Sequence, residues 1–377
     1  MKKILVIASS YLHIRSFLIP HIEYWKRNGW VVDVASDDDG IAIPYADSKI
    51  DIPVKRTPFH PSNVVAIKRL ARHLEREHYD IINCHTPIGA MIARLASRQA
   101  RRNGTKIVYM AHGFHFYNGA PLRNWLLYYT AEKSMARCTD ALITINEEDR
   151  LNACKFFPEI PRQYHLDGIG YDTKHIGHSD EDEVRCIQEQ YGLRKDDFVL
   201  LYIARYARHK RHRFLIEAFA DIKQNIPQAK LLLLGEGEDM QACCQLAQKL
   251  GLNSSVIFAG YQTNISPYLH LADVGVSPSL MEGLPIGLAE KMSVALPVVV
   301  SDIRGHRDLI NEGQNGMLFA VGSRSELVNK VAYLYNNPAE RLRMGIAARE
   351  SIMKYSVENI KPQFLQILDN ELQYIHT

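Results

Sequence analysis

The stretch Ser277-Pro-Ser-Leu-Met-Glu-Gly-Leu-Pro-Ile-Gly-Leu-Ala-Glu-Lys291 follows a short apolar run, Asp273-Val-Gly-Val276, and leads into a helical pattern that continues through Met292 to Val294. Strand, glycine-containing loop and helix in that order describe one half of a βαβ unit. Pro285 suits the first turn of the helix, because its missing N–H would have no partner there. The free amides of that turn and the helix dipole favour an anion. Glu282 lies in the loop and Glu290 inside the helix, so the cradle has a carboxylate on each side.

Working outward, the same alternation recurs on both sides. Apolar runs at Phe198–Ile203, Lys230–Leu234, Val256–Phe258, Pro297–Val300 and Gly316–Phe319 predict further strands around the opening one. In the first half, strands are expected at Lys3–Ala8, Trp30–Ala35, Asp80–Cys84, Lys106–Ala111 and Asp140–Ile145. Helices are expected at Ser16–Gly29 (Phe17, Ile19, Ile22 and Trp25 inward), Ser62–His78 (Val64, Ile67, Ala71 and Leu74 inward), Ile88–Arg102 and Pro121–Ala136. The pattern breaks between Asp167 and Ser179, where Gly168, Gly170 and Gly177 cluster, so the linker is placed there. The expected architecture is α/β, with two doubly wound parallel sheets. The expected domains are 1–175, with about 357–377 packing back onto it, and 176–356.

Composition narrows the function. The 377 residues suffice for two domains, and no apolar run is long enough to cross a membrane. The apolar core of the N-terminus, Ile4–Ala8, is too short for a signal peptide and reads as a buried strand. The six Cys form no C-x-x-C pair and read as reduced thiols, which predicts a cytoplasmic protein. His112 with His115, or His209 with His212, lack the further ligands a metal centre needs, so no metal is expected. Asp37-Asp38-Asp39 reads as a solvated loop beside Gly40. Residues 55–106 carry 11 basic and 3 acidic residues, which suggests an anionic membrane face or a phosphate-bearing acceptor. Only Phe59 and Tyr79 lie among these charges, too few for the aromatic interleaving that nucleic-acid binding would require.

In open parallel sheets, ligands bind beyond the carboxyl ends of the strands. That rule selects Ser9–Ser10, His85, His112, Arg205, Gly235, Gly260, Ser277–Glu282 and Ser301. Arg205 and Lys210 share one loop, and a guanidinium with an ammonium suits a diphosphate. Gly235-Glu-Gly237 lacks the third glycine of a dinucleotide fingerprint and is explained by a tight turn.

Taken together, Arg205 and Lys210, then Gly235-Glu-Gly237, then Glu282 and Glu290 with seven residues between them, match in order and spacing a known signature. The chain resembles the family 4 retaining glycosyltransferases of GT-B fold. In the first half, His85-Thr-Pro87, Ala111-His-Gly-Phe-His-Phe116, Asn118-Gly-Ala-Pro121 and Asp140–Asn146 resemble bacterial capsule and exopolysaccharide members. Departures from the pattern are Ala204 and Arg211 in place of glycines, and Ser9-Ser10-Tyr11-Leu12-His13 in place of a glycine-rich first loop.

The resemblance implies a metal-independent hexosyltransferase that moves a sugar from a UDP-sugar to a glycan acceptor, expected to be lipid-linked. The expected partners are the nucleotide-sugar, that acceptor and an anionic membrane surface, with the protein peripheral on the inner face. The two Rossmann-like domains would face each other across a cleft, with the C-terminal helix crossing back. Arg205 and Lys210 would hold the donor diphosphate with the amides of Gly283, Leu284, Pro285 and Ile286 (a proline nitrogen carries no hydrogen, so Pro285 shapes the turn). Glu290 would take the ribose, and Gly260, Tyr261 and Gln262 the base. Glu282 and His112 would touch the transferred sugar, while Ser10, His13, His85 and Asn118 lie on the acceptor side. Alternatives are a nucleotide-sugar 2-epimerase of the same fold, which needs acid–base groups around sugar C2, and a non-catalytic partner subunit.

Overall fold

Buried β-branched runs form the strands of two parallel sheets in the computed structural model, which describes residues 1–37, 39–172, 176 and 179–374. The chain divides into two compact units, Met1–Gly170 with Val357–Thr377, and Tyr171–Ser356.

The first unit contains β1 (Lys3–Ile7), β2 (Val31–Ser36), β3 (Ser48–Asp51), β4 (Ile81–His85), β5 (Lys106–Ala111), β6 (Ala141–Thr144) and β7 (Arg162–His165), in sheet order β3-β2-β1-β4-β5-β6-β7. The second contains β8 (Phe198–Ile203), β9 (Ala229–Leu234), β10 (Val256–Gly260), β11 (Val274–Ser277), β12 (Val298–Ser301) and β13 (Met317–Phe319), in order β10-β9-β8-β11-β12-β13. The order reverses at β1/β4 in one sheet and at β8/β11 in the other. These are the switch points where such sheets bind ligands.

The boundary sits five residues before the expected 175/176 junction. Tyr171 N–H donates to Tyr355 O at 3.1 Å, so both crossings between units occur side by side. Gly170 has φ +88, and a Cβ there would stand 2.7 Å from Val357 Cα, so only glycine fits the crossing. Gly177 and Asp38 lie outside the described residues. The helix Val357–Gln373 belongs to the first unit, where Phe364 packs edge-on against His21 and Trp25. Arg162 adds charge-assisted bonds to the fully buried Glu371 of that helix at 2.6 and 2.8 Å.

Four helix expectations need correction. The stretch Ser16–Gly29 is two helices, Tyr11–Phe17 and Ile19–Arg27, divided at Leu18 because Pro20 can sit only in a first turn. Helix Pro61–Arg76 buries Asn63, Ala66, Leu70 and Leu74, and leaves Val64 exposed. Asn63 turns inward because its amide bonds Lys55, Thr57 and Pro58 of the preceding loop. The stretch Ile88–Arg102 breaks at Ser97 into Pro87–Ala96 and Arg98–Arg102. The stretch Pro121–Ala136 includes a π-helical turn over Trp125–Tyr129. Among the described residues, no helix is long and apolar enough to cross a membrane.

Candidate functional site

At the carboxyl end of β8 the chain runs through Ala204 and Arg205 into a 3-10 turn, Arg208–Lys210. Arg211 follows at φ +57, the left-handed position that a glycine usually fills. At the end of β11, Ser277 and Ser279 are buried and hold the loop: Tyr202 Oη and Ser279 Oγ are 3.2 Å apart, and Ser301 Oγ donates to Ser279 O at 2.5 Å. Leu280 N–H donates to His209 O at 2.8 Å, which ties the two loops into one mouth.

Inside that mouth Lys210 Nζ meets Glu282 Oε1 at 2.5 Å, with both side chains mostly buried. Arg205 is 70% exposed, and among the described residues its guanidinium reaches only the exposed Glu238, at 3.4 Å. The helix Ile286–Ser293 starts beside this pair with Pro285 at the N-cap, one position before the expected first turn. Among the described residues no side chain caps that terminus; Leu288 N–H donates to Pro285 O at 2.9 Å, and the amides ahead of it are open to an anion. Glu290 is on the second turn, and burial raises its carboxyl above the usual range. Gly305 allows the loop to descend, since a Cβ there would lie 2.3 Å from Gly283 O.

A cavity of about 520 Å³ adjoins Arg205. Its walls come from the ends of β8, β9 and β10, including Ala204, Gly235, Gly237, Tyr261, Gln262 and Ile265. Gly235 (φ +132) and Gly237 (φ +154) serve close approach: a Cβ would stand 2.1 Å from Ala204 O and 2.3 Å from Tyr206 O. β10 continues to Gly260, whose carbonyl accepts from Gly235 N–H at 2.8 Å, two residues beyond the expected strand end.

The first unit assembles a second group. His13, His85 and His112 follow or end the adjacent strands β1, β4 and β5. His85 Nδ1 lies 2.8 Å from His112 Nε2, and His13 Nε2 lies 3.4 Å from the same atom. His85 Nε2 lies 2.7 Å from Asn83 Oδ1, and Asn83 Nδ2 donates to Val108 O. The Asn83 oxygen therefore accepts, which puts a proton on His85 Nε2 and a lone pair on Nδ1. His112 Nε2–H donates to that lone pair, and His112 Nδ1 is left as an acceptor for a ligand hydroxyl. Burial pushes all three imidazoles down, His13 to about 4, so they are neutral at pH 7. Two nitrogens on a tetrahedral zinc at about 2.05 Å would stand roughly 3.3 Å apart. The 2.8 Å separation is that of a hydrogen bond.

These contacts revise the acceptor-side expectations. His85 is fully buried, and its contact in this group is with His112. Ser10 caps helix Tyr11–Phe17 by accepting from His13 N–H at 3.3 Å. Asn118 is exposed, and its N–H donates to Glu148 at 2.7 Å. Sequence reading missed that His13 joins His112. The order β1-β4-β5, which brings them together, is not written in the spacing of either residue. The first loop packs closely without glycine of its own, since Gly89 supplies the room: a Cβ there would lie 2.8 Å from Ala8 C.

In sequence and fold the chain is similar to known proteins. A family model described as Glycosyl transferases group 1 matches residues 184–351, and one described as Glycosyl transferase 4-like matches residues 3–146. EpsD of Bacillus subtilis (strain 168), which carries a glycosyltransferase name, is 40% identical over 355 residues, 94% of this chain and 93% of EpsD. The UDP-Gal:alpha-D-GlcNAc-diphosphoundecaprenol alpha-1,3-galactosyltransferase of Escherichia coli is 26% identical, over 80% of this chain and 79% of its own. In fold, the chain is similar to Anabaena HepE, solved with UDP and glucose (TM-score 0.81, 20% identity, 98% of this chain and 100% of that one). It is also similar to sucrose-phosphate synthase of Thermosynechococcus elongatus (TM-score 0.80, 18% identity, 98% and 99% covered). With a signature in the right strand context, two matching family models and a full-length relative, the chain belongs to the family 4 glycosyltransferases of GT-B fold.

Proposed function

We propose that this glycosyltransferase moves a hexose from a UDP-sugar to a lipid-linked glycan acceptor, with retention of configuration and without a metal, in bacterial capsule or exopolysaccharide assembly. The observation that carries the reading is the mouth at β8/β11, where Arg205, the Lys210–Glu282 pair and an uncapped helix terminus converge. Breaking the sugar–phosphate bond leaves negative charge on a diphosphate, and fixed cations with backbone amides stabilise such charge where it develops. Arg205 and Lys210 hold the diphosphate with the amides of Gly283, Leu284 and Ile286. Glu290 takes the ribose, and the base enters the cavity beside Tyr261 and Gln262. Lys210 leaves Glu282 for the phosphate as the donor arrives, which frees Glu282 for the sugar hydroxyls. His112 offers its Nδ1 to a sugar hydroxyl. No side chain is assigned as a covalent nucleophile, and the acceptor attacks on the face the leaving group departs from, within an ion pair.

Two relatives support the donor and acceptor classes. HepE was solved with UDP-glucose, and the E. coli relative is named for a UDP-Gal donor and a diphosphoundecaprenol acceptor. Calorimetry with UDP should show binding that survives EDTA, and release of UDP from UDP-sugar should need an acceptor. Binding lost on chelation, or an epimer formed from UDP-sugar alone, would sink the reading.

Membrane contact rests on a separate feature. Exposed Arg98 and Arg102 border a cavity of about 510 Å³ in the first unit. Leu122 and Leu126 stand 74% and 65% exposed, with exposed Arg123 between them in sequence. Basic and apolar side chains together suit an anionic lipid surface. Flotation with vesicles containing anionic lipid should carry the protein at low salt and release it at high salt. Equal flotation with neutral vesicles would count against electrostatic docking.

A further inference from the structure

Beneath the first turn of helix Ile286–Ser293 lies a cation that the donor reading leaves unused. Lys291 is only 2% exposed. Its stem crosses β11 at Gly275, where a Cβ would stand 2.4 Å from Lys291 Cδ, so the strand has a glycine where the lysine passes. Side chains on a helix lean toward its N-terminus, and Nζ follows that lean to donate to Gly287 O at 2.9 Å. An ammonium has three donors. Among the described residues this one has no second acceptor and no carboxylate at ion-pair distance.

A buried ammonium with no directly bonded carboxylate costs stability, and an apolar stem of the same length would fill the channel without that cost. Burial brings its pKa down to about 8. The charged groups facing it are Glu290 on its own helix, Glu282 in the preceding loop and Lys210 in the turn after β8. His306, from helix Arg304–Arg307, adds a neutral ring whose Nδ1–H donates to Ser301 O at 2.7 Å. The ring's Nε2 is buried with no partner. Glu290 and Glu282 attract the ammonium across space, yet among the described residues neither reaches it at ion-pair distance, so part of its charge stays available to a ligand.

We propose that Lys291 is a third fixed cation of the diphosphate site, placed under the helix terminus so that its full charge adds to the partial charge of the terminal amides. The proposal rests on the donor reading above. It differs from the roles of Arg205 and Lys210 in acting through the turn rather than by contact. In a low-dielectric setting a unit charge several ångströms from a diphosphate is worth roughly tenfold in affinity.

The test is Lys291→Met, which keeps the stem and removes the charge, measured by calorimetry with UDP and, by displacement of UDP, with uridine. Affinity for UDP should fall roughly tenfold at pH 7 while uridine affinity holds and the unfolding midpoint stays level or rises. In the unsubstituted protein UDP affinity should fall as pH rises through about 8, because the ammonium is charged below that point and neutral above it. UDP itself is fully ionised there, its last proton leaving near pH ~6. Unchanged UDP affinity in Lys291→Met, or equal losses for UDP and uridine, would overturn the proposal. If the variant does not fold, a pH profile without that step would do the same. Failure of the unsubstituted protein to bind UDP at any pH would overturn the donor reading, and this proposal with it.

Discussion

Arg205→Ala and Lys210→Ala should each lower turnover by about 30- to 10³-fold, 2–4 kcal/mol of barrier, the scale of a lost oxyanion contact. The two should differ in kind. Arg205 is exposed and, among the described residues, holds only Glu238 at 3.4 Å, so its removal leaves the fold and the loop intact. Its effect should lie in transition-state stabilisation, with the unfolding midpoint unchanged. Lys210 is paired with Glu282 at 2.5 Å, and its removal leaves a mostly buried carboxylate without its bonded cation beside the anion seat. That carboxylate repels the diphosphate, so donor affinity should fall along with turnover. Adding Glu282→Gln to Lys210→Ala should restore part of the donor affinity and none of the turnover. Steady-state kinetics with UDP-sugar and acceptor check both. Near-native turnover in both single variants would remove the pair from the mechanism.

The parts of this arrangement that the sequence announced share a physical cause. Central strands of a parallel sheet are buried on both faces, so they read as continuous apolar runs, as in Phe198–Ile203 and Leu231–Leu234. The edge strands β3 and β7 were missed. Ser-Lys-Ile-Asp and Arg-Gln-Tyr-His lie at the two ends of the seven-stranded order, where burial is partial and no apolar run is required. The inward face of Pro61–Arg76 was also misjudged, because Asn63 is inward for its loop hydrogen bonds and no hydrophobic scale registers that. Lys210 and Glu282 are 72 residues apart, and only the adjacency of β8 and β11 brings them together. Motif spacing could therefore name both residues without showing that they bond to each other in the absence of donor.

The basic segment 55–106 was counted from sequence as one charged surface, yet Arg94 is only 2% exposed. Its guanidinium donates to Glu132 Oε2 at 2.8 Å and to Ala90 O at 3.0 Å, and lies 4.5 Å over the Tyr109 ring. Tyr109 Oη donates to the other carboxylate oxygen of Glu132 at 3.1 Å. Each charge is satisfied by the other, and neither has water to fall back on. Arg94→Met should therefore destabilise the first unit by about 3–5 kcal/mol, the cost of leaving one buried charge unpaired. Glu132→Leu alone should cost a similar amount for the same reason. The double variant Arg94→Met/Glu132→Leu should recover most of the loss, because apolar groups of similar volume replace a pair whose desolvation offsets its attraction. Urea unfolding of the three variants measures this cycle. A cost below about 1 kcal/mol for Arg94→Met would return Arg94 to the solvated surface, where exposed ion pairs contribute that little.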